Sequence, residues 1–181
     1  MPSIRIIIGG IFMQTKTDRR RVRAAIGNAG FVEQLMYLSW AVSVIATLGS
    51  LYFSEVVGYP PCTYCWVQRI LMYPLTIWLG MAAVRKDYGQ SLYVLPISSL
   101  GIAMSTFHYL SQKTSWFEKA GASCGIIPCN IEYINWFGFV TIPFLALIAF
   151  ILITVLQAIV FIGVRNARKT AQTTFLHMML E

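Results

Sequence analysis

The chain has 181 residues, 57% of them hydrophobic and only 12% charged, with a net charge of +7. An ordinary soluble domain carries roughly a quarter charged residues, so the composition excludes a sizeable soluble domain and points to the bilayer. The positive charge favours anionic lipid over nucleic acid, because the basic residues sit in short flanks between long apolar runs, where they read as a topology signal.

Residues 1–32 form a basic N-terminal arm. Its stretch Ile4 to Met13 could pass for a signal peptide, but the apolar run is broken and no small-residue cleavage site follows. A basic cluster, Arg19, Arg20, Arg21 and Arg23, stands where cleavage would fall. The arm is read as cytoplasmic and able to lie on the membrane surface.

Four segments then reach the roughly 20 apolar residues that a spanning helix needs. The first is charge-free from Gln34 to Ser54, and the second runs from about Cys62 to Val84 with one charge, Arg69. The third is charge-free from Ser91 to Gln112, and the fourth lies within Tyr133 to Val164. That last run exceeds one span, so Tyr133, Trp136 and Phe137 are assigned to an interfacial aromatic belt and the helix start to about Gly138. Pro74, Pro96 and Pro143 fall inside these helices, where neighbouring helices absorb a kink. The expected fold is an all-α integral membrane protein, a four-transmembrane-helix bundle over residues 33–164 with a cytoplasmic tail at 165–181.

Orientation follows from the basic residues. The arm, the middle loop (Arg85, Lys86) and the C-terminal flank (Arg165, Arg168, Lys169) carry most of them, against Lys113 and Lys119 in the other two loops. Cytoplasmic loops retain the excess of Lys and Arg, so both termini are expected inside. All four cysteines then lie on the extracytoplasmic side: Cys62 and Cys65 at the mouth of the second helix, Cys124 and Cys129 in the loop before the fourth.

Disulfides persist on that side of the membrane. Two structural disulfides in the outer loops of a non-enzymatic scaffold would account for the count alone. A four-cysteine zinc site is disfavoured by the 59 positions between the pairs and by an exterior that does not keep thiolates reduced, so no metal is expected. Geometry favours redox chemistry at Cys62-Thr63-Tyr64-Cys65. Pro60 and Pro61 put the helix start at about Cys62, and the first turn's free N–H groups and dipole stabilise a thiolate there. A loop so short contributes little as a staple.

Arg69 lies four residues after Cys65, on the same face and about 6 Å away at Cβ. A charge inside a span is costly and reads as functional, although a residue under two turns deep could also snorkel to the headgroups. His108, near the outer end of the third segment, stands at a similar depth. A cation and an imidazole so placed could bind the two carbonyls of a quinone.

The stretch Pro61-Cys62-Thr63-Tyr64-Cys65-Trp66-Val67-Gln68-Arg69-Ile70-Leu71-Met72-Tyr73-Pro74-Leu75 resembles the DsbB/BdbC thiol-disulfide oxidoreductases of bacterial membranes, most of all the Gram-positive BdbC branch. The resemblance covers about Leu35 to Val164. It implies a protein dithiol:quinone oxidoreductase of the cell membrane. A reduced thioredoxin-fold thiol oxidase outside the cytoplasm (DsbA/BdbD-like) attacks the Cys124–Cys129 disulfide, and Cys62–Cys65 reoxidises that pair. The electrons pass to a quinone, menaquinone or ubiquinone, and on to the respiratory chain. The resemblance puts Cys65 nearest the ring, Arg69 stabilising the thiolate–quinone complex and His108 in the binding site. One departure stands out: four residues separate Cys124 from Cys129, whereas the Gram-negative prototype separates its second pair widely. A third reading, a reductant exporter, fits less well, since such transporters hold their cysteines within the membrane.

Overall fold

A computed structural model describes residues 29–114 and 127–180. Residues 1–28 of the N-terminal arm, Lys119 and Cys124 lie outside the described residues, and residues 29–32 of the arm open the first helix. Four long helices account for most of the rest: α1 Ala29–Leu51, α2 Thr63–Arg85, α3 Ser91–Lys113 and α4 Ile142–Leu180. A π-helical turn, Tyr52–Val56, extends α1, and a 3-10 turn, Tyr88–Gln90, leads into α3. Among the described residues the strand content is a single isolated bridge between Trp136 and Val140.

The helices pack in cyclic order, α1 on α2, α2 on α3, α3 on α4 and α4 back on α1. Short connections turn the chain round between α1 and α2 and between α2 and α3, so these neighbours run antiparallel. The end of α1, the start of α2, the end of α3 and the start of α4 therefore share one end of the bundle. Every cysteine among the described residues is at that end.

Large apolar side chains such as Ile45, Ile77, Val84, Leu100 and Ile162 are exposed around the outside. A soluble monomer rarely exposes apolar surface on this scale. Three of the helices, over Gly30–Val56, Thr63–Arg85 and Ile142–Ala167, are long and apolar enough to cross a membrane. Helix α3 is as long as α2, 23 residues, about 34 Å at 1.5 Å per residue. Its hydropathy is lowered by Ser91, Ser98, Ser105, His108 and Ser111, all of which face inward.

Inside the bundle, polar groups join helices. Thr47 and Thr76 share a 2.9 Å hydrogen bond between α1 and α2, and Thr154 donates to Ser98 at 2.9 Å between α4 and α3. Gln157 is fully buried, donates to Ser39 at 3.0 Å and accepts from Gln90 at 2.8 Å, tying α4 to α1 and to the turn before α3. Interhelical bonds of this kind contribute about 0.6 kcal/mol each in a membrane. At the end away from the cysteines, Glu33 takes Lys86 in an ion pair at 2.8 Å and the Tyr88 hydroxyl at 3.0 Å.

Two boundaries differ from expectation. Helix α4 begins at Ile142 instead of Gly138, because Phe137 and Gly138 both adopt positive φ, 54° and 82°, and close a turn. Pro143 consequently sits in the first turn, where its missing N–H costs no intrahelical bond and no kink is needed. Helix α4 also continues past Val164 through the basic flank to Leu180, since no Gly or Pro follows Gly163 to stop it.

The α3–α4 contact is close at Gly101, where an added Cβ would overlap ring carbons of the fully buried Phe150. Gly101→Ala should lower stability by about 1–3 kcal/mol through overpacking, read as a lower midpoint in a detergent-solubilised thermal melt. Adding Phe150→Leu should recover part of the loss; equal melting of Gly101→Ala and the unaltered protein would show that the helices have slack there.

Candidate active site

Pro60 and Pro61 stop any helix before Cys62, which is left as the N-cap of α2 with extended backbone (φ −75°, ψ 173°). Its sulfur takes the place of the usual capping oxygen and accepts from the Cys65 backbone N–H at 3.4 Å. Cys65, one turn on, comes back over the cap, so the two sulfurs stand 3.2 Å apart. Both are free thiols, whereas Cys129 is disulfide-bonded.

His108 of α3 is 1% exposed and connects these groups. Its Nε2 lies 3.1 Å from the Cys129 carbonyl oxygen and 3.7 Å from Cys62 Sγ, and its Nδ1 lies 3.2 Å from Gln68 Nε2. A carbonyl can only accept, so the ring proton is on Nε2, shared between that oxygen and the sulfur, and Nδ1 accepts from the buried Gln68 amide. The Cys129 carbonyl therefore fixes the tautomer, and Gln68 holds the ring from its other side.

Cys62 lies just outside the Thr63–Arg85 span. The hydrogen bond with the Cys65 thiol holds it well below the ordinary thiol range. Burial opposes this, and His108 and the Cys65 backbone N–H add to the lowering.

The segment bearing Cys129 is pinned to the end of α3. Lys113 pairs with Glu132 at 2.7 Å and donates to the Gly138 carbonyl at 3.1 Å, while Gln112 donates to the Ile131 carbonyl at 3.0 Å. Cys129 itself is buried. Tyr133 from this segment stacks on Tyr59 at 5.0 Å, and Tyr59 in turn on Phe53 at 6.4 Å.

Beside the thiol pair is a cavity of about 450 Å³ between α1, α2 and α4. Apolar residues such as Val42, Ala46, Met72 and Leu145 form most of its wall, and Cys65, Gln68, Arg69 and Tyr73 supply its polar groups from α2. Arg69 is held by two bonds to Ser50, Nε to the hydroxyl at 2.9 Å and Nη2 to the carbonyl at 3.0 Å, with its guanidinium 5.4 Å from the Trp66 ring centre. Cys62 and His108 are not on this wall; they line a small cleft with Cys65, Pro128 and Thr141. The structure thus brings Cys62, Cys65 and His108 together, puts Arg69 beside Cys65 in the larger cavity, and separates His108 from Arg69. Cys124, the residue expected to pair with Cys129, lies outside the described residues.

Two residues escape a reading of the sequence. Gln68 is the hydrogen-bond partner of His108, and no sequence pattern signals that contact. Tyr73 stands on the cavity wall with its hydroxyl buried and unpartnered. It continues the stripe Cys65, Arg69, Tyr73 at four-residue spacing, a signal the sequence does carry.

The family described as disulfide bond formation protein DsbB matches residues 33–161. The chain belongs to the DsbB family. It is 58% identical over 128 residues to the "Probable disulfide formation protein C 1" of Bacillus anthracis, covering 71% of this chain and 92% of that protein. It is 52% identical over 124 residues to the "Disulfide bond formation protein C" of Bacillus subtilis (strain 168), covering 68% and 90%. A more distant relative, the "Probable disulfide formation protein" of Coxiella burnetii (strain Dugway 5J108-111), is 45% identical over 116 residues, 63% of this chain and 78% of that protein. No solved structure matches. Family and apolar helices together make this a disulfide-forming protein of a bacterial membrane.

In the reduced protein, Cys62 should already be thiolate at neutral pH. Ultraviolet thiolate absorbance, taken as the difference from Cys62→Ser, should persist well below the pH at which a free cysteine protonates. Gln68→Leu removes the amide that holds the His108 ring in place and should move the Cys62 titration upward; an unshifted curve would remove Gln68 from the site.

Proposed function

We propose that the chain is a membrane protein dithiol:quinone oxidoreductase that reoxidises a thioredoxin-fold thiol oxidase outside the cytoplasm. The single observation that carries this reading is the asymmetry of the thiol pair. Cys62 is joined to the Cys129 segment through His108, and Cys65 borders the apolar cavity.

The cavity suits a quinone. Its wall is apolar enough for a ring and part of an isoprenoid tail, its volume falls in the usual range for ligand sites, and its few polar groups include Cys65, Arg69 and Tyr73 on one stripe of α2. The buried Tyr73 hydroxyl lacks a protein partner, which leaves it free to donate to a carbonyl oxygen. Arg69 and Tyr73 would hold the head group, with Cys65 beside them. A bound quinone supplies a two-electron acceptor that carries reducing equivalents into the membrane. Arg69, fixed by Ser50, brings positive charge to the wall that Cys65 shares, where negative charge develops as the dithiol is oxidised. His108 serves the other sulfur: its Nε2–H steadies the Cys62 thiolate, the better leaving group when a disulfide is handed on.

In this reading Cys62–Cys65 oxidises the Cys124–Cys129 pair, and the partner's dithiol reduces that pair. Four membrane spans with both termini cytoplasmic fit the distribution of basic residues, α3 being admitted because its polar side chains face the bundle interior. The free thiols at Cys62 and Cys65 count against a scaffold held by two structural disulfides.

Purified protein should oxidise a reduced thioredoxin-fold partner only when quinone is supplied, and Cys65→Ser should abolish this; turnover without quinone, or with Cys65→Ser, would overturn the reading. Arg69→Ala should raise the KM for quinone about 10- to 100-fold, as expected for loss of a charged hydrogen-bonding group. Tyr73→Phe should raise it about 2- to 10-fold, the range for a neutral bond. In both variants the KM for the thiol partner should not change.

A further inference from the structure

Three soft-metal ligands converge beside the apolar cavity. Cys62 Sγ, Cys65 Sγ and a ring nitrogen of His108 all lie within 4.8 Å of one another. The set differs from the four-cysteine site weighed from the sequence, because it draws on α3 and leaves out Cys124 and Cys129. Tetrahedral zinc, with Zn–S of about 2.3 Å and Zn–N of about 2.0 Å, sets its ligands about 3.8 Å apart for S···S and about 3.5 Å for S···N. The observed separations are 3.2 Å between the sulfurs and 3.7 Å from Cys62 Sγ to His108 Nε2. The third pair, Cys65 Sγ and the His108 ring, is within 4.8 Å, so closing the site parts the sulfurs by about 0.6 Å and brings Cys65 toward the ring. Two of the ligands, Cys62 and His108, are buried, so each is positioned by packing and not by chance encounter on a surface.

We propose that the reduced Cys62–Cys65 pair and His108 form a three-ligand site for a thiophilic divalent cation, zinc or cadmium, that exists only in the dithiol state. The disulfide has no thiolate to offer, so oxidation and metal binding exclude each other. Binding displaces the Cys65 thiol proton to solvent and involves no electron transfer. His108 must ligate through Nε2, so its proton moves to Nδ1. Gln68 makes this possible: rotation of its amide by half a turn replaces the donor facing Nδ1 with the acceptor Oε1, and a glutamine can serve either tautomer. Metal-bound histidines commonly have such an acceptor on the other nitrogen. The His108 bond to the Cys129 carbonyl is given up, and the fourth metal position is left open to water. A metal held here would arrest the protein in its reduced form. This inference is independent of the electron acceptor, so it and the quinone reading can fail separately.

The test uses the full chain in detergent with Cys124→Ser and Cys129→Ser, so that the only thiols are Cys62 and Cys65. Cadmium chloride is titrated into reduced protein, freed of reductant, and into protein oxidised at Cys62–Cys65. The expected result is one cadmium per reduced chain, seen as a sulfur-to-cadmium charge-transfer band, and none per oxidised chain. Gln68→Leu should weaken binding about 10- to 100-fold, the usual cost of losing an outer partner of a metal ligand, and His108→Ala should weaken it at least as much. Equal binding by both redox forms would overturn the site, and so would His108→Ala binding as tightly as the parent, which would leave only chelation by a dithiol. Should the His108 variant fail to fold, X-ray absorption of the zinc-loaded parent decides: two sulfurs and an imidazole nitrogen support the site, and sulfur with oxygen alone overturns it.

Discussion

Hydrogen-bonding side chains in this bundle point inward, since an apolar exterior has nothing to offer them. Buried Ser39, Ser98, Gln157, Gln68 and His108 would each be costly in hydrocarbon, and each finds a partner across or along the helices. The same demand that holds the helices in register also delivers His108 to the cysteines. Its depth on α3 is fixed by the packing of α3 against α4, where Gly101 and Phe150 leave no slack. Its ring is then oriented by Gln68 from α2. Structural and chemical polarity therefore have one origin.

At the cysteine end the constraint becomes local. Pro60 and Pro61 deny α2 an earlier start, so Cys62 takes the cap position and its sulfur meets the Cys65 backbone N–H and the Cys65 sulfur together. Cys65 follows from the helical repeat. Arg69 follows one turn later, and its guanidinium is occupied by Ser50, so a neutral partner holds its charge in a fixed place without cancelling it. Each step is set by the spacing of residues in a single helix start.

Much of this is legible in the chain alone. The apolar runs mark three helices whose composition suits a membrane, and the Pro-Pro-Cys sequence marks the start of α2. Helix α3 is harder, because its serines lower its hydropathy while burying themselves against neighbours, a fact that no window average contains. The start of α4 moves from Gly138 to Ile142 because the apolar run continues through Phe137 and Gly138, whose positive φ values form a turn that hydropathy cannot register. Arg69 is visible as a lone charge; that it is anchored by Ser50, 19 positions earlier, depends on the α1–α2 packing. His108 stands out for its depth, yet its neighbours are Cys62, Gln68 and Cys129, and its separation from Arg69 by the body of α2 is a tertiary fact.

The 3.2 Å between Cys62 and Cys65 also spans a boundary. Cys62 lines the small cleft that Pro128 borders, whereas Cys65 lines both that cleft and the apolar cavity. The pair therefore stands where two unlike spaces adjoin, one walled in part by the pinned loop and the other by hydrocarbon side chains. A dithiol so placed is a joint between two environments, with one sulfur common to both.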